Sequence, residues 1–550
     1  MAILERPNTG TAPPPMPLPP QAPSAGPAPL NPYRWIILVA VLTGAFLELL
    51  DTTSVNVALR QMQGNLGATS DEIAWVSTGY ILSNVVVLPL TAWLSSVFGR
   101  RLYLTASILL FTFASILCGL SSSLGALIFW RIMQGAGGAA LLSTAQASLR
   151  EVFPKEQQGM IQSLYIVVVV IGPTLGPTFG GWITDNYSWQ WIFLAKSPLG
   201  FIAAALVWRF LTDSAHQEKS KGLDWQGIGL LAIGLGSLQY VLEEGERYDW
   251  FDDLWITRLT VAAVVAISAF VFWEFSPRNT RPVVNLRVLK YRDLSAGSFL
   301  LMVSGVGVYG SVFILPQFTQ SVLGFSPTQT GLLFLPGGVA TIIGTMLCGR
   351  LLNGANPLVK PPILVVMGLG VFAFSQYLLG HLTPQSGTDD VQLGLILRGA
   401  GLGLLLTPVT VASLGSLKGS EIAQGAGLTN LFRQLGGSFG IAIVNTYVTN
   451  MAQHHRSDLV SDLYSGNTIL SSRISGLTGH FLSDGYGLTG AHDAAVASIE
   501  RLIGTQSLTM AYDDAFQLIA AISFLAIPAA LLFVRRTKAP LSTAGLDAGH

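Results

Sequence analysis

The chain has almost no cysteine and little charge. Only Cys118 and Cys348 occur in 550 residues, both inside apolar runs, which excludes a disulfide framework or a cysteine-rich metal site. Charged residues make up 11%, against about a quarter in soluble chains, so an ordinary globular enzyme is excluded as well. Thirty Lys+Arg balance thirty Asp+Glu, and this formal neutrality argues against a nucleic-acid partner or an acidic disordered chain. Enzyme motifs are missing too. No Gly-x-x-x-x-Gly-Lys-Ser/Thr phosphate loop occurs, so ATP is not the direct energy source. Gly305-Val306-Gly307-Val308-Tyr309-Gly310 lies within a charge-free run rather than between a strand and a helix, which excludes a dinucleotide fingerprint. Gly436-Gly437-Ser438-Phe439-Gly440 lacks the strand-turn-helix setting of a nucleophile elbow. His454-His455 has no spaced His or Cys partner, so no metal, cofactor or catalytic cluster is expected.

What the chain does have is apolar length. Half its residues are hydrophobic, mean hydropathy is +0.53, and a helix needs about 20 mostly apolar residues to cross a bilayer. From Leu294 to Gly349 no charged residue occurs, enough for two crossings. Fourteen spans are expected, near 35–58, 73–94, 102–121, 124–149, 160–183, 191–211, 225–242, 255–275, 295–316, 329–349, 361–381, 391–413, 424–450 and 512–534. Eleven of the 28 prolines fall in the first 34 residues without an apolar signal segment, which reads as an extended, disordered cytoplasmic tail. Basic clusters such as Arg100-Arg101, Lys219/Lys221, Arg278 through Arg292 and Arg535-Arg536 fall on one side of the spans. Positive-inside bias therefore puts both termini in the cytoplasm. Residues 451–511 become the one long outer insertion, where Ile499, Leu502 and Ile503 recur at helical spacing and suit an amphipathic face toward membrane or partner. Glu243 and Glu244 end the seventh span and read as solvated.

The chain also repeats itself. Leu66-Gly67-Ala68-Thr69-Ser70-Asp71 precedes span 2 and Leu323-Gly324-Phe325-Ser326-Pro327-Thr328 precedes span 10, each followed by an apolar helix ending at a Gly-Arg pair. Parallel repeats build two-lobed transporters with the substrate site between lobes. The division expected is a tail at 1–34, a six-helix lobe at 35–211, linkers and an inserted pair of spans at 212–294, a second lobe at 295–534 that includes the loop 451–511, and a tail at 535–550.

Span 5 reads Gly172-Pro173-Thr174-Leu175-Gly176-Pro177-Thr178-Phe179-Gly180-Gly181. Glycines every four residues line one face for close helix approach, and the two prolines each remove a backbone hydrogen bond. Close packing without a role in transport is the alternative. This segment resembles the antiporter motif of the major facilitator superfamily, and further segments are similar to its fourteen-helix drug:proton antiporters of the EmrB/QacA type. They are the run from Leu50-Asp51-Thr52 through Asn56 in span 1, Arg131-Ile132-Met133-Gln134-Gly135 in span 4, Trp189-Gln190-Trp191-Ile192-Phe193, Arg398-Gly399-Ala400-Gly401 and Arg433-Gln434-Leu435-Gly436-Gly437. The resemblance implies an all-α integral membrane fold of two six-helix lobes plus an inserted hairpin, in the inner membrane. It also implies proton-driven export of amphipathic small molecules, with roles for Asp51 and Arg131, and a periplasmic adaptor and outer-membrane channel as partners. A proton-coupled symporter or an exporter of one metabolite shares the fold.

Two positions depart from the pattern. Ser95-Ser96-Val97-Phe98 replaces the charged residues expected before Gly99, which puts the cytoplasmic charge latch in doubt, and Lys196 stands where a neutral Asn is common. Lys196 lies near the outer end of span 6 and is expected to snorkel to the interface. The other intramembrane charges are the physical site candidates, since a charge at the bilayer centre costs about 2.5–3.5 kcal/mol on insertion scales. Glu48 and Asp51, three residues apart, stack on one helix face. Their burial and mutual repulsion favour proton uptake, whereas Arg131 opposes it. A structural ion pair between spans 1 and 4 is the alternative. Arg398, Asn430 and Arg433 either coordinate cargo or hold the second lobe together.

Overall fold

A computed structural model describes residues 32–154, 157–213, 224–279, 282–352, 359–417, 421–461, 463 and 467–534. The proline-rich tail as far as residue 31, Lys219/Lys221, and Arg535-Arg536 with the C-terminal tail lie outside these residues. The described chain is helical because a backbone surrounded by hydrocarbon must pair its own N–H and C=O groups. The first half contains α1 (Arg34–Leu66), α2 (Ser70–Val87), α3 (Thr91–Phe98), α4 (Arg100–Gly119), α5 (Leu124–Val152), α6 (Gln158–Asn186), α7 (Gln190–Leu194) and α8 (Ser197–Phe210). Then follow α9 (Trp225–Glu244), α10 (Leu254–Phe275), α11 (Arg292–Ser321), α12 (Pro327–Leu352), α13 (Pro361–Leu379), α14 (Thr388–Ser413), α15 (Glu421–Ser461), α16 (Thr468–Ser483) and α17 (Leu488–Val534). Thirteen spans among the described residues are long and apolar enough to cross a membrane. The fourteenth expected span is the first part of α15, whose Gln424, Asn430, Arg433 and Gln434 dilute its apolar character although it packs along α11 and α17.

Bundles form as the repeat suggests: α1 packs on α6 and α8, and α5 on α2 and α4, while α11 packs on α15 and α17, and α14 on α12 and α13. The two repeat turns are the same device. Gly67 and Gly324 both adopt left-handed conformations, φ 62° and 70°, and a capping box follows each. Thr69 Oγ1 accepts from the Glu72 N–H at 3.2 Å and Glu72 Oε2 from the Thr69 N–H at 2.9 Å; Ser326 and Gln329 exchange the equivalent bonds at 3.2 and 2.9 Å. Large apolar residues such as Phe272 on α10 and Leu525 on α17 face outward, as a lipid-embedded surface requires.

One expectation needs correction, and it concerns a residue of the inserted hairpin α9–α10, which packs on the lobes as well as on itself. At the face opposite the one where α1 begins, α9 wedges between α2 and α15: Ser438 Oγ donates to Gln239 Oε1 at 2.9 Å, and Thr78 Oγ1 to Glu244 Oε1 at 3.2 Å. Glu244 is therefore buried rather than solvated, while Glu243 is exposed. Residues 451–511 are mostly helical, because α15 and α17 run on past the bilayer-length segments and α16 packs along α17. Arg456 and Glu500, at 2.7 Å, tie the two extensions.

Candidate functional site

Asp51 is the centre of a buried polar cluster built from three elements. α1 supplies the carboxylate, α5 supplies Arg131 and Gln134 one turn apart, and the turn between α7 and α8 supplies Lys196. Arg131 Nη1 donates to Asp51 Oδ2 at 2.5 Å and to Gln134 Oε1 at 2.9 Å, and Gln134 Nε2 donates to Asp51 Oδ1 at 3.2 Å. Lys196 Nζ donates to the same Asp51 oxygen. Arg131 Nε reaches the Val76 carbonyl at 2.8 Å, fixing α5 to α2. The guanidinium also lies 4.3 Å from the Tyr80 ring centre and Lys196 Nζ 5.4 Å from that of Phe193, so aromatic faces replace the water each cation loses. Relative exposure is 0% for Asp51, 1% for Arg131 and 3% for Lys196, so bulk water does not screen these charges.

Lys196 thus does not snorkel. Its position near a span end misleads because α7 stops at Leu194 and the chain turns through Ala195 and Lys196 before α8. Trp189, Ile192 and Phe193 are packed inward, which carries Lys196 to Asp51. Its stem lines an apolar groove of about 410 Å³ between α1, α6 and α8, with Leu47, Leu50, Leu175 and Phe179.

Glu48 does not join this cluster. Its Oε1 accepts from Asn84 Nδ2 at 3.1 Å, Asn84 Oδ1 accepts from Gln434 Nε2 of α15 at 3.2 Å, and Glu48 Oε2 has no partner. The second carboxylate therefore lies on a relay between the halves, one that sequence spacing did not reveal. Asn56 stands apart from both groups: it is exposed and accepts from Ser77 Oγ at 2.7 Å.

In the second half, Arg398 and Arg433 line a narrow cavity of about 30 Å³ with Ser304, Tyr309 and, from α6, Val169 and Pro173. Arg398 is buried, its Nη1 lacks a partner, and its guanidinium lies 5.7 Å from the Phe334 ring centre. Arg433 Nη2 donates to Asn430 Oδ1 at 3.0 Å. Asn430 in turn joins the halves, accepting from Tyr165 Oη at 3.2 Å and donating to Gln146 Oε1 at 2.8 Å.

The span 5 motif occupies α6, with Pro173 and Pro177 inside the helix. Gly172, Gly176 and Gly180 face α1 so closely that side chains there would meet Leu49, Thr53 and the Ser54 carbonyl. Gly181 is also buried. The other face of α6 meets α12, where Ser163 Oγ donates to the Thr345 carbonyl at 2.8 Å and Gly331 abuts Thr178. Where the usual loop charges are missing, Arg100 instead pairs with Glu151 at 2.7 Å.

The Major Facilitator Superfamily profile matches residues 41–441. The chain is 30% identical over 516 residues to the multidrug export protein EmrB of Escherichia coli (strain K12), covering 94% of this chain and 97% of that one. It is 30% identical over 494 residues to the fatty acid resistance protein FarB of Neisseria gonorrhoeae, covering 90% and 96%. Its fold is similar to that of a double Trp mutant of XylE (TM-score 0.60, 14% identity, 93% of this chain and 98% of that one). It is also similar to the human organic anion transporter MFSD10 (TM-score 0.55, 14% identity, 90% and 100%).

Proposed function

The chain belongs to the Major Facilitator Superfamily, and from that premise we propose that this multi-pass membrane protein exports amphipathic small molecules across the inner membrane in exchange for protons, both termini being cytoplasmic. The observation that carries the reading is Asp51, a fully buried carboxylate held by cations from two other elements. Such a group persists in a membrane interior when its charge is used. Export rather than uptake is supported by the glycine-proline motif of α6 and by relatives named for drug export and fatty acid resistance.

In this reading the halves alternate access to the cavity beside α6. Its apolar wall suits the body of an amphipathic cargo, and the partnerless Arg398 nitrogen suits an acidic head. The helical extensions of α15 and α17, with α16, carry exposed Ile469, Leu488 and Leu502, a surface on which a periplasmic adaptor leading to an outer-membrane channel would seat. An inward-negative potential assists proton return by about 2.3 kcal/mol per 100 mV for each charge moved. Inverted vesicles with an imposed pH gradient test the proposal. Accumulation of ethidium or anilinonaphthalene sulfonate driven by an acid interior is the expected result. Accumulation driven by the opposite gradient assigns a symporter, and indifference to the gradient refutes proton coupling. Adaptor dependence is checked by co-purification from cells that express an adaptor, where recovery of the pump alone counts against the partner.

A further inference from the structure

The buried cluster holds one negative charge and two positive ones, because Asp51 is shared between Arg131 and Lys196. Among the described residues no second carboxylate balances it: Glu48, one turn back on α1, is engaged with Asn84. The other groups facing the ammonium from the packed elements are Gln134 beside Arg131 on α5, Cys118 on α4 and the Phe193 ring on α7. One net positive charge therefore sits in a low-dielectric interior, where uncompensated charge is costly.

A single proton can change this charge in two ways. Adding one to Asp51 leaves two cations with no anion between them. Removing one from Lys196 leaves the neutral Asp51–Arg131 pair, with the bonds to Gln134 and Val76 intact. Arg131 is no donor, since a guanidinium stays protonated in proteins, whereas a buried lysine ammonium sheds its proton readily. Resting on the proton-coupled reading above, we infer that Lys196 carries the exchangeable proton of the transport cycle, while Asp51 stays ionised and holds the charged ammonium. In that step the Nζ–H bond breaks, the electron pair stays on nitrogen, and the proton passes to water admitted when the halves part; reloading is the reverse.

The surroundings give the step a mechanical consequence. Lys196 stands at the turn between α7 and α8, and its stem borders the apolar groove of about 410 Å³. A neutral amine loses its hold on Asp51 and fits that groove; a charged one does not. Proton loss would thus untie α8 from α1, and proton gain would tie them again.

Two readouts on the full chain test this. Infrared pH-difference spectra of the purified protein, from about pH 5 to about pH 9, should contain no protonated-carboxyl absorption that Asp51→Asn removes. Reversible proton uptake over that range should fall by about one proton per chain in Lys196→Asn and equally in Lys196→Arg. In inverted vesicles with ethidium and anilinonaphthalene sulfonate as probes, Lys196→Asn should equilibrate whichever probe the wild type moves yet lose at least about tenfold of its response to the pH gradient, whereas Lys196→Arg, tied to Asp51 throughout, should lose gradient-driven accumulation by at least about tenfold without gaining equilibration. Arginine keeps the charge and the tie to Asp51 but cannot release the proton, so coupling rescued by Lys196→Arg would overturn the proposal and make Lys196 a fixed structural cation. An acid band lost with Asp51→Asn would overturn it as well. A wild type that ignores the gradient refutes the antiport reading and with it the coupling role, whereas the infrared arm reads Lys196 without any cargo.

Discussion

Spacing puts Glu48 and Asp51 on one face of α1, yet three residues of helix rotation send one toward α2 and the other toward α5 and α8. Their separate partners decide what each substitution does. Asp51→Asn removes the anion from between two cations and should destabilise the protein by about 3–5 kcal/mol, read as a fall in the unfolding temperature in detergent. Adding Lys196→Asn removes one stranded cation and should recover a large part of that loss, because contacting sites are not additive. Additive losses would show that the two side chains do not interact. Asp51 and Arg131 were legible as intramembrane charges of opposite sign. Lys196 was visible only as a departure from a neutral position, since its depth depends on a helix break that no periodicity marks. Asn84, which takes up Glu48, carries no signal in a single sequence, and Gln434, which holds Asn84, was visible only as part of a motif and not as a partner of α2.

At the scale of elements, α6 is the contact surface of the molecule: its glycines meet α1, and Ser163 and Thr178 meet α12. A methyl group at Gly180 would run into the Ser54 carbonyl, a backbone atom that cannot rotate away. Gly180→Ala should therefore cost about 1–3 kcal/mol and slow transport. Gly338→Ala on α12, with nothing within 4 Å of the added carbon, should be neutral or stabilising by up to about 1 kcal/mol. Thermal unfolding of the pair in detergent checks the difference, and equal effects would deny the close approach. The motif was readable because four-residue glycine spacing has one geometric meaning on a helix. The wedge of α9 between α2 and α15 was not, because its contacts to Thr78 and Ser438 join residues remote in sequence. The spacing of Ile499, Leu502 and Ile503 marked the arm of α17 as helical, but the continuation of α15 had no such signal. Once the apolar run ends, hydropathy no longer distinguishes a continuing helix from a loop.

For the whole molecule, the two halves touch at both ends of α6. Ser163 meets Thr345 and Gly349 toward the end where α6 begins, and Thr178 meets Gly331 at the opposite end. At that second end the wedge adds its own ties, with Glu246 accepting from Asn445 and Thr449 at 2.9 Å each and Trp250 Nε1 donating to Thr446 at 3.0 Å. A carrier that alternates must open these contacts one end at a time, whereas a protein that keeps its halves fixed never opens either. Cysteine pairs separate the two cases, in a chain whose Cys118 and Cys348 are first replaced by alanine. A Cβ at Gly349 would lie 3.2 Å from that of Ser163, close to the roughly 3.5–4.5 Å of a disulfide, so Ser163→Cys with Gly349→Cys should cross-link on mild oxidation. Thr178→Cys with Gly331→Cys provides the same staple at the other end after a small outward shift. Either bond should stop transport of the probe in vesicles, and reductant should restore it. Only release of both ends in turn completes a cycle, so transport that continues through a formed cross-link would mean that the cargo does not pass between the halves.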